Sequence, residues 1–247
     1  KCGAKESTLK CEVKSIATEN PEFTEIFKRV FSNISVTSVA KRLCENMLNQ
    51  ETEVKFFVRN LKPIEMRLLE LKAHLIQPRV HEINYRFDFP NNELRNNQKV
   101  LRLRKDEQAK LTFKGVSKEI QGVMSREEIE FVVEDFDKAK QLLESLGFTP
   151  VVFYEKFRTT YEFNETHIML DELPYGEFVE IESNDISSIK NVSNLLNLNW
   201  NMMVKAGYHA LFDRVASGYN LDRWNLSFEA LSGVKIKPED LKISFAD

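Results

Sequence analysis

Eight short segments of this 247-residue chain alternate between apolar and charged residues, and that alternation limits the folds open to it. In ETEVKFFV, Glu51, Glu53, Lys55 and Phe57 share one face, while Thr52, Val54, Phe56 and Val58 share the other. HEINYRFDF sets Glu82, Asn84, Arg86 and Asp88 against Ile83, Tyr85, Phe87 and Phe89. VLRLRK sets Arg102 and Arg104 against Leu101 and Leu103, and KLTFKG sets Lys110, Thr112 and Lys114 against Leu111 and Phe113. REEIEFVV, EKFRTTYEF, HIMLDEL and EFVEIES repeat the habit, with Arg126, Glu128, Glu130, Lys156, Arg158, Asp171, Glu180 and Glu182 on the polar side. A sheet with one wet side calls for scattered polar residues. Here like charges stand two residues apart, at Glu51/Glu53, Arg102/Arg104, Lys156/Arg158 and Glu180/Glu182. Neighbouring like charges repel, and an ion or ligand between them removes that cost.

Eight antiparallel strands suffice to close a barrel. The apolar faces then pack outward under helices, and the charged faces line the lumen. The expected fold is therefore α+β: an eight-stranded antiparallel closed β-barrel over about residues 51–183, with helices packed outside. Lys55, Arg86, Arg102, Arg104, Lys114, Lys156 and Arg158 suit a polyanion such as a triphosphate chain. The carboxylates are hard oxygen donors suited to Mg²⁺ or Mn²⁺.

The remaining segments are read as helices or tails. Phe23, Ile26, Phe27, Val30 and Phe31 form one helical stripe, and Val39, Leu43 and Met47 another, so residues 1–50 are read as a polar tail and a helical hairpin. Glu22 and Glu25 dilute the basic character of FKRVFSN, which favours a core-facing helix over a membrane anchor. Pro63 opens a helix with Leu68, Leu69, Leu71, Leu75 and Ile76 on its apolar face, and a helix from about Phe136 is stopped by Gly147. From Ile186 onward the pattern is helical and expected to lie against the outside of the barrel, with Trp200, Tyr208 and Trp224 as packing residues.

A net charge of -3 gives no push towards nucleic acid or anionic membranes. No apolar run reaches spanning length. Cys2, Cys11 and Cys44 lack metal-ligand spacing and read as reduced thiols; His74, His81, His167 and His209 are scattered and read as structural. A cytoplasmic location is expected. The chain opens on Lys1 rather than Met, which suggests removal of a preceding segment, and an organellar transit segment fits that reading.

ETEVK resembles the ExExK signature of the CYTH family, the triphosphate tunnel metalloenzymes, and VLRLRK, LTFKG, REEIE, EKFRTTY and LDELPYGEFVEIE follow in the family's order. The resemblance runs over residues 51–247; residues 1–50 have no counterpart in it. It implies a hydrophilic barrel tunnel and metal-dependent chemistry on a small triphosphate. By resemblance, Glu51, Glu53, Glu180 and Glu182 hold the metal, assisted by Asp171. Lys55, Arg102, Arg104, Lys114, Lys156 and Arg158 grip phosphate, joined by Arg126 of the R-x-E motif, and Glu130 is a structural partner of basic neighbours. Glu53 and Lys55 are the expected catalytic pair. The family includes thiamine triphosphatases, tripolyphosphatases and class IV adenylyl cyclases. ENMLNQ stands where the cyclases carry an HF…GK stretch, which favours hydrolysis over making cyclic AMP from ATP. A non-catalytic polyphosphate-binding or interaction module is the remaining alternative. Homodimerisation and a partner for the N-terminal hairpin stay open.

Overall fold

The computed structural model describes residues 50–120, 123–216 and 218–247. The expected N-terminal hairpin and the three cysteines lie outside them.

The eight alternating segments form strands β1 (Gln50–Val58), β2 (His74–Asp88), β3 (Val100–Lys105), β4 (Ala109–Lys114), β6 (Val123–Val133), β7 (Thr149–Phe163), β8 (Thr166–Leu173) and β9 (Gly176–Ser183), and two short strands outside the pattern are β5 (Lys118–Ile120) and β10 (Asn225–Leu226). Eight of them close a ring in the order β1-β9-β8-β7-β2-β3-β4-β6 and back to β1, every pair antiparallel. Closure leaves the ring no free edge. β5 extends from β6, and β10 pairs in parallel with β7. The expected closed barrel is the one observed.

Helices α1 (Leu61–Glu70), α2 (Glu93–Asn96), α3 (Phe136–Ser145), α4 (Ile186–Leu195), α5 (Tyr208–Ala216) and α6 (Pro238–Leu241) join them. Leu61, Ile64 and Leu68 of α1 and Ile189 and Val192 of α4 bury the outward residues Val54, Phe56, Val58, Ile168, Leu170, Val179 and Ile181. Phe136 and Leu143 of α3 cover Phe87 and Leu103. Asp185 caps α4 by accepting from Ser187 N at 3.2 Å and Ser188 N at 3.0 Å.

Four expectations need correction. α1 starts at Leu61, two residues before Pro63, because the Asn60 side chain caps it by accepting from Lys62 N at 2.8 Å. It ends at Glu70, so Leu75 and Ile76 belong to β2, where both are exposed, and Leu69 is exposed on the helix. On β6, Ile129 and Phe131 face outward, are covered by no helix among the described residues, and stay about half exposed. The C-terminal region does not stay wholly outside the wall. Phe57, Val152, Leu173 and Phe178 lie on the lumen side of their strands, in step with Lys55, Lys156, Asp171 and Glu180. They form one core with Tyr208, Leu211, Phe212 and Val215 of α5. An aromatic band on the inner face of one strand end has to be buried somewhere, and α5 covers it. Gly176 turns β8 into β9 at that end with φ +147°, and a Cβ there would meet the Phe57 ring at 2.6 Å.

Candidate active site

The period-2 pattern turns the charged side of each strand into the barrel. Glu53, Lys55, Arg86, Arg102, Arg104, Lys114, Arg126, Lys156, Arg158, Glu180 and Glu182 line one cavity of about 1140 Å³. Arg102 and Arg104 side chains are only 13% and 11% exposed. Asp171 shares the inner face of β8 but is fully buried beneath Lys156 and Arg158 and does not line the cavity. Glu51 lies two residues before Glu53 on β1, in register with Arg126.

The cations are paired with internal carboxylates. Asp171 accepts from Arg158 Nε and Nη2, both at 2.6 Å, from Lys156 Nζ at 3.0 Å and from the Tyr208 hydroxyl at 2.7 Å. Glu180 bridges Lys55, at 2.5 Å, and Arg158. Glu82 faces Lys156 at 3.6 Å and Arg104 at 3.5 Å. Glu128 pairs with Lys114, and Glu130 stands 3.1–3.5 Å from Lys110, Arg104 and Arg102. Burial pushes the Glu82 carboxyl up, but Lys156, Arg158, Arg104 and Arg102 outweigh it and hold it well below the usual range. Burial works against the charge on Lys55 as well, and Glu180 and Glu53 reverse that and raise its pKa.

Compensation is incomplete in two places. Arg86 makes no ion pair among the described residues, and burial, with Arg126, Arg102 and Arg95 nearby, lowers its pKa. Among the described residues the Nε groups of Arg102 and Arg104 are buried donors without a hydrogen-bond partner, although Asp106 stands 3.8 Å from Arg104 Nε. A buried donor left unpaired costs about 1–3 kcal/mol, which an incoming anion would recover.

At Glu53 and Glu182 the imbalance has the opposite sign. They are direct cross-strand partners on β1 and β9. Glu53 has only Arg126 within ion-pair reach, at 3.9 Å, and Glu182 has no ion pair among the described residues. Burial, followed by Glu53 and Glu180, pushes the Glu182 carboxyl up to about 7. Among the described residues, no three His, Cys, Asp or Glu side chains are already grouped to hold an ion. Two facing carboxylates that resist shared ionisation nevertheless fit a hard divalent cation, which would remove the repulsion between them.

Several residues of the wall are missing from the sequence-based set. Glu82 and the fully buried Asn84, which donates to Glu82 at 2.9 Å, carried the right parity on β2 and were given no role. Asp88 has the same parity but caps α2 instead, accepting from Leu94 N and Arg95 N at 2.8 and 2.9 Å. Tyr208 was assigned to packing alone. It does pack, edge-on to Phe178 at 5.1 Å, but it also reaches Asp171, and Lys55 Nζ lies 4.4 Å above its ring. No sequence signal carried that contact, since α5 comes from outside the repeating strand pattern. His167 and His209 line the cavity. Among the described residues, no helix is long and apolar enough to cross a membrane.

The comparisons with known proteins match this architecture. A protein of Methanocaldococcus jannaschii, provisionally named an adenylate cyclase, is 29% identical over 153 residues, covering 59% of this chain and 83% of that protein. A solved structure from Pyrococcus horikoshii aligns with TM-score 0.56 at 26% identity, over 64% of this chain and 96% of the other. A Hippeastrum protein with a dominant triphosphatase activity shares the fold, with TM-score 0.54 at 18% identity, over 78% of this chain and all of its own. The CYTH domain family model matches residues 49–194, the span that holds all eight barrel strands and all but the last residue of α4. With the closed barrel and its charged lumen, that match places the chain in the CYTH domain family.

Proposed function

We propose that the lumen hydrolyses a small inorganic or organic triphosphate with the help of Mg²⁺ or Mn²⁺, and that residues 51–247 are the functional unit. One observation carries this reading. A single cavity joins a basic wall, whose Arg86 makes no ion pair among the described residues, to the facing carboxylates Glu53 and Glu182, of which Glu182 has no ion pair there either. A metal–triphosphate complex complements both. Arg102, Arg104, Lys114, Arg126, Lys156 and Arg158, with Arg86, would hold the phosphate oxygens by charge-assisted hydrogen bonds. Glu53 and Glu182, with Glu51 and Glu180 beside them in sequence, would hold the cation. When bound, it would neutralise charge developing on the phosphate oxygens and acidify water.

Lys55 stands between Glu53 and Glu180 and stays protonated, so it can face a terminal phosphate oxygen. Burial opposes the charge on Glu53, but Lys55, Lys114 and Arg126 keep its carboxyl ionised and able to take a proton from water. The water oxygen bonds to the terminal phosphorus, the bridging P–O bond breaks, and the shortened phosphate leaves along the basic wall. Asp171 is saturated by four donors, so its part in this reading is to hold Lys156 and Arg158.

A second reading, cyclisation of ATP, draws support from the provisional name of the M. jannaschii relative. Incubating the full chain with tripolyphosphate, thiamine triphosphate or ATP, each with Mg²⁺ or Mn²⁺, separates the two. Orthophosphate release supports hydrolysis. Cyclic AMP with pyrophosphate from ATP replaces it by the cyclase reading. Failure of all three to react or to raise the thermal midpoint leaves the interaction-module reading.

A further inference from the structure

We propose that Tyr208, the first residue of α5, is a positioning residue of this site, setting the geometry of Lys55, Lys156 and Arg158 from a helix that lies outside the repeating strand pattern. The proposal rests on the reading that the lumen binds a triphosphate.

Two separate contacts support it. The hydroxyl donates to Asp171 Oδ2 at 2.7 Å, the same oxygen that accepts from Lys156 at 3.0 Å and Arg158 Nη2 at 2.6 Å. Asp171 is fully buried, so these protein donors, not water, decide where its carboxylate sits. The ring face lies 4.4 Å from Lys55 Nζ and 5.3 Å from Lys156 Nζ, within reach of a cation–π attraction. Tyr208 is itself fixed: its carbonyl accepts from the Tyr175 hydroxyl at 2.8 Å, and its ring meets Phe178 edge-on. It also lines the cavity. Ordinary packing explains the ring's burial but not a hydroxyl on Asp171 together with a ring face on the lysines of the same wall.

The two contacts serve different steps. Lys156 and Arg158 hold phosphate in ground state and transition state alike, so loosening them weakens binding without slowing chemistry. Lys55 stands at the reacting end, so displacing it slows turnover.

The test uses the full chain, with inorganic tripolyphosphate and Mg²⁺ for turnover and tripolyphosphate alone, in chelator, for calorimetric binding. Tyr208→Phe keeps the ring and should raise KM and the dissociation constant about tenfold, the scale of one lost charge-assisted hydrogen bond, with kcat within about twofold. Tyr208→Leu, which also removes the ring face, should lower kcat by about tenfold more. Unchanged KM and dissociation constant in Tyr208→Phe would overturn the proposal. So would a fall in kcat at unchanged KM, the mark of a smaller folded fraction. If the wild type itself neither binds nor cleaves tripolyphosphate, the triphosphate reading falls and this proposal with it; a responsive wild type with an indifferent Tyr208→Phe sinks the Tyr208 role alone.

Discussion

Replacing Asp171 by Asn keeps the shape of the side chain and removes its charge from the most enclosed ion-pair cluster of the lumen. Four donors converge on this carboxylate, and its exposure is 0%. Removing one partner of a buried ion pair costs about 3–5 kcal/mol, because the opposite charge stays behind without compensation. Two features of the cluster point to the lower end. Arg158 keeps Glu180, and Lys156 keeps Glu82 at 3.6 Å. A loss of about 3 kcal/mol is expected, and a domain of this size shifts its midpoint by about 2–4 °C per kcal/mol, which gives a drop of about 6–12 °C. The assay is thermal unfolding followed by circular dichroism, in chelator and without phosphate. Tripolyphosphate should then narrow the gap, because it brings a fresh anion to the two stranded cations and binds only the folded chain. A drop below about 2 °C would mean that Arg158 and Lys156 do not depend on Asp171. A gap that tripolyphosphate leaves untouched would mean that the ligand does not meet them.

Glu82, held low by Lys156, Arg158, Arg104 and Arg102, contributes stability above its unfolded pKa of about 4.5 and loses it as pH falls towards its folded value. Denaturant midpoints measured from pH 7 down to pH 3 should therefore fall less steeply for Glu82→Gln than for wild type, and parallel curves would count against the lumen cations as the cause. Glu182→Gln should remove most of the stabilisation that Mn²⁺ alone gives the wild type in thermal melts, while Glu65→Gln, on the outer α1, should leave it intact; equal responses would remove Glu182 from the metal site. Gly176→Ala should cost about 1–3 kcal/mol in urea unfolding, because its φ of +147° suits glycine and the new Cβ would collide with Phe57. A neutral result would show that the turn and the aromatic band adapt freely.

How far the sequence reaches can be seen residue by residue. Alternation at period 2 fixes which side chains share a face whatever the neighbours, so Arg102 and Arg104, or Glu180 and Glu182, were legible as members of one wall before any pairing was known. The closed ring followed from the number of such strands and from charged faces that no flat wet sheet would favour. Local capping signals were weaker guides: Asn60 sets the start of α1 where Pro63 was expected to, since a side-chain cap can act three residues ahead of the proline. Cross-strand partners were not legible, because a residue's own strand says nothing about which strand pairs beside it or in what register. Glu82 meeting Lys156 and Arg104, Glu180 bridging Lys55 and Arg158, and the charge pairing they create follow from which strands lie side by side and in what register. The same holds for Tyr208, whose helical setting predicted apolar packing and whose hydroxyl reaches Asp171 only because α5 crosses to the lumen side of Phe57 and Phe178. By itself the sequence determined the strands, their inner and outer faces, and the charge of the lumen, all of which depend on local periodicity. Only the tertiary structure decided which cation meets which carboxylate, where counter-charge runs short, and which outside helix enters the wall. Those depend on strand order, register and helix docking between residues far apart in the chain, and local periodicity carries none of them.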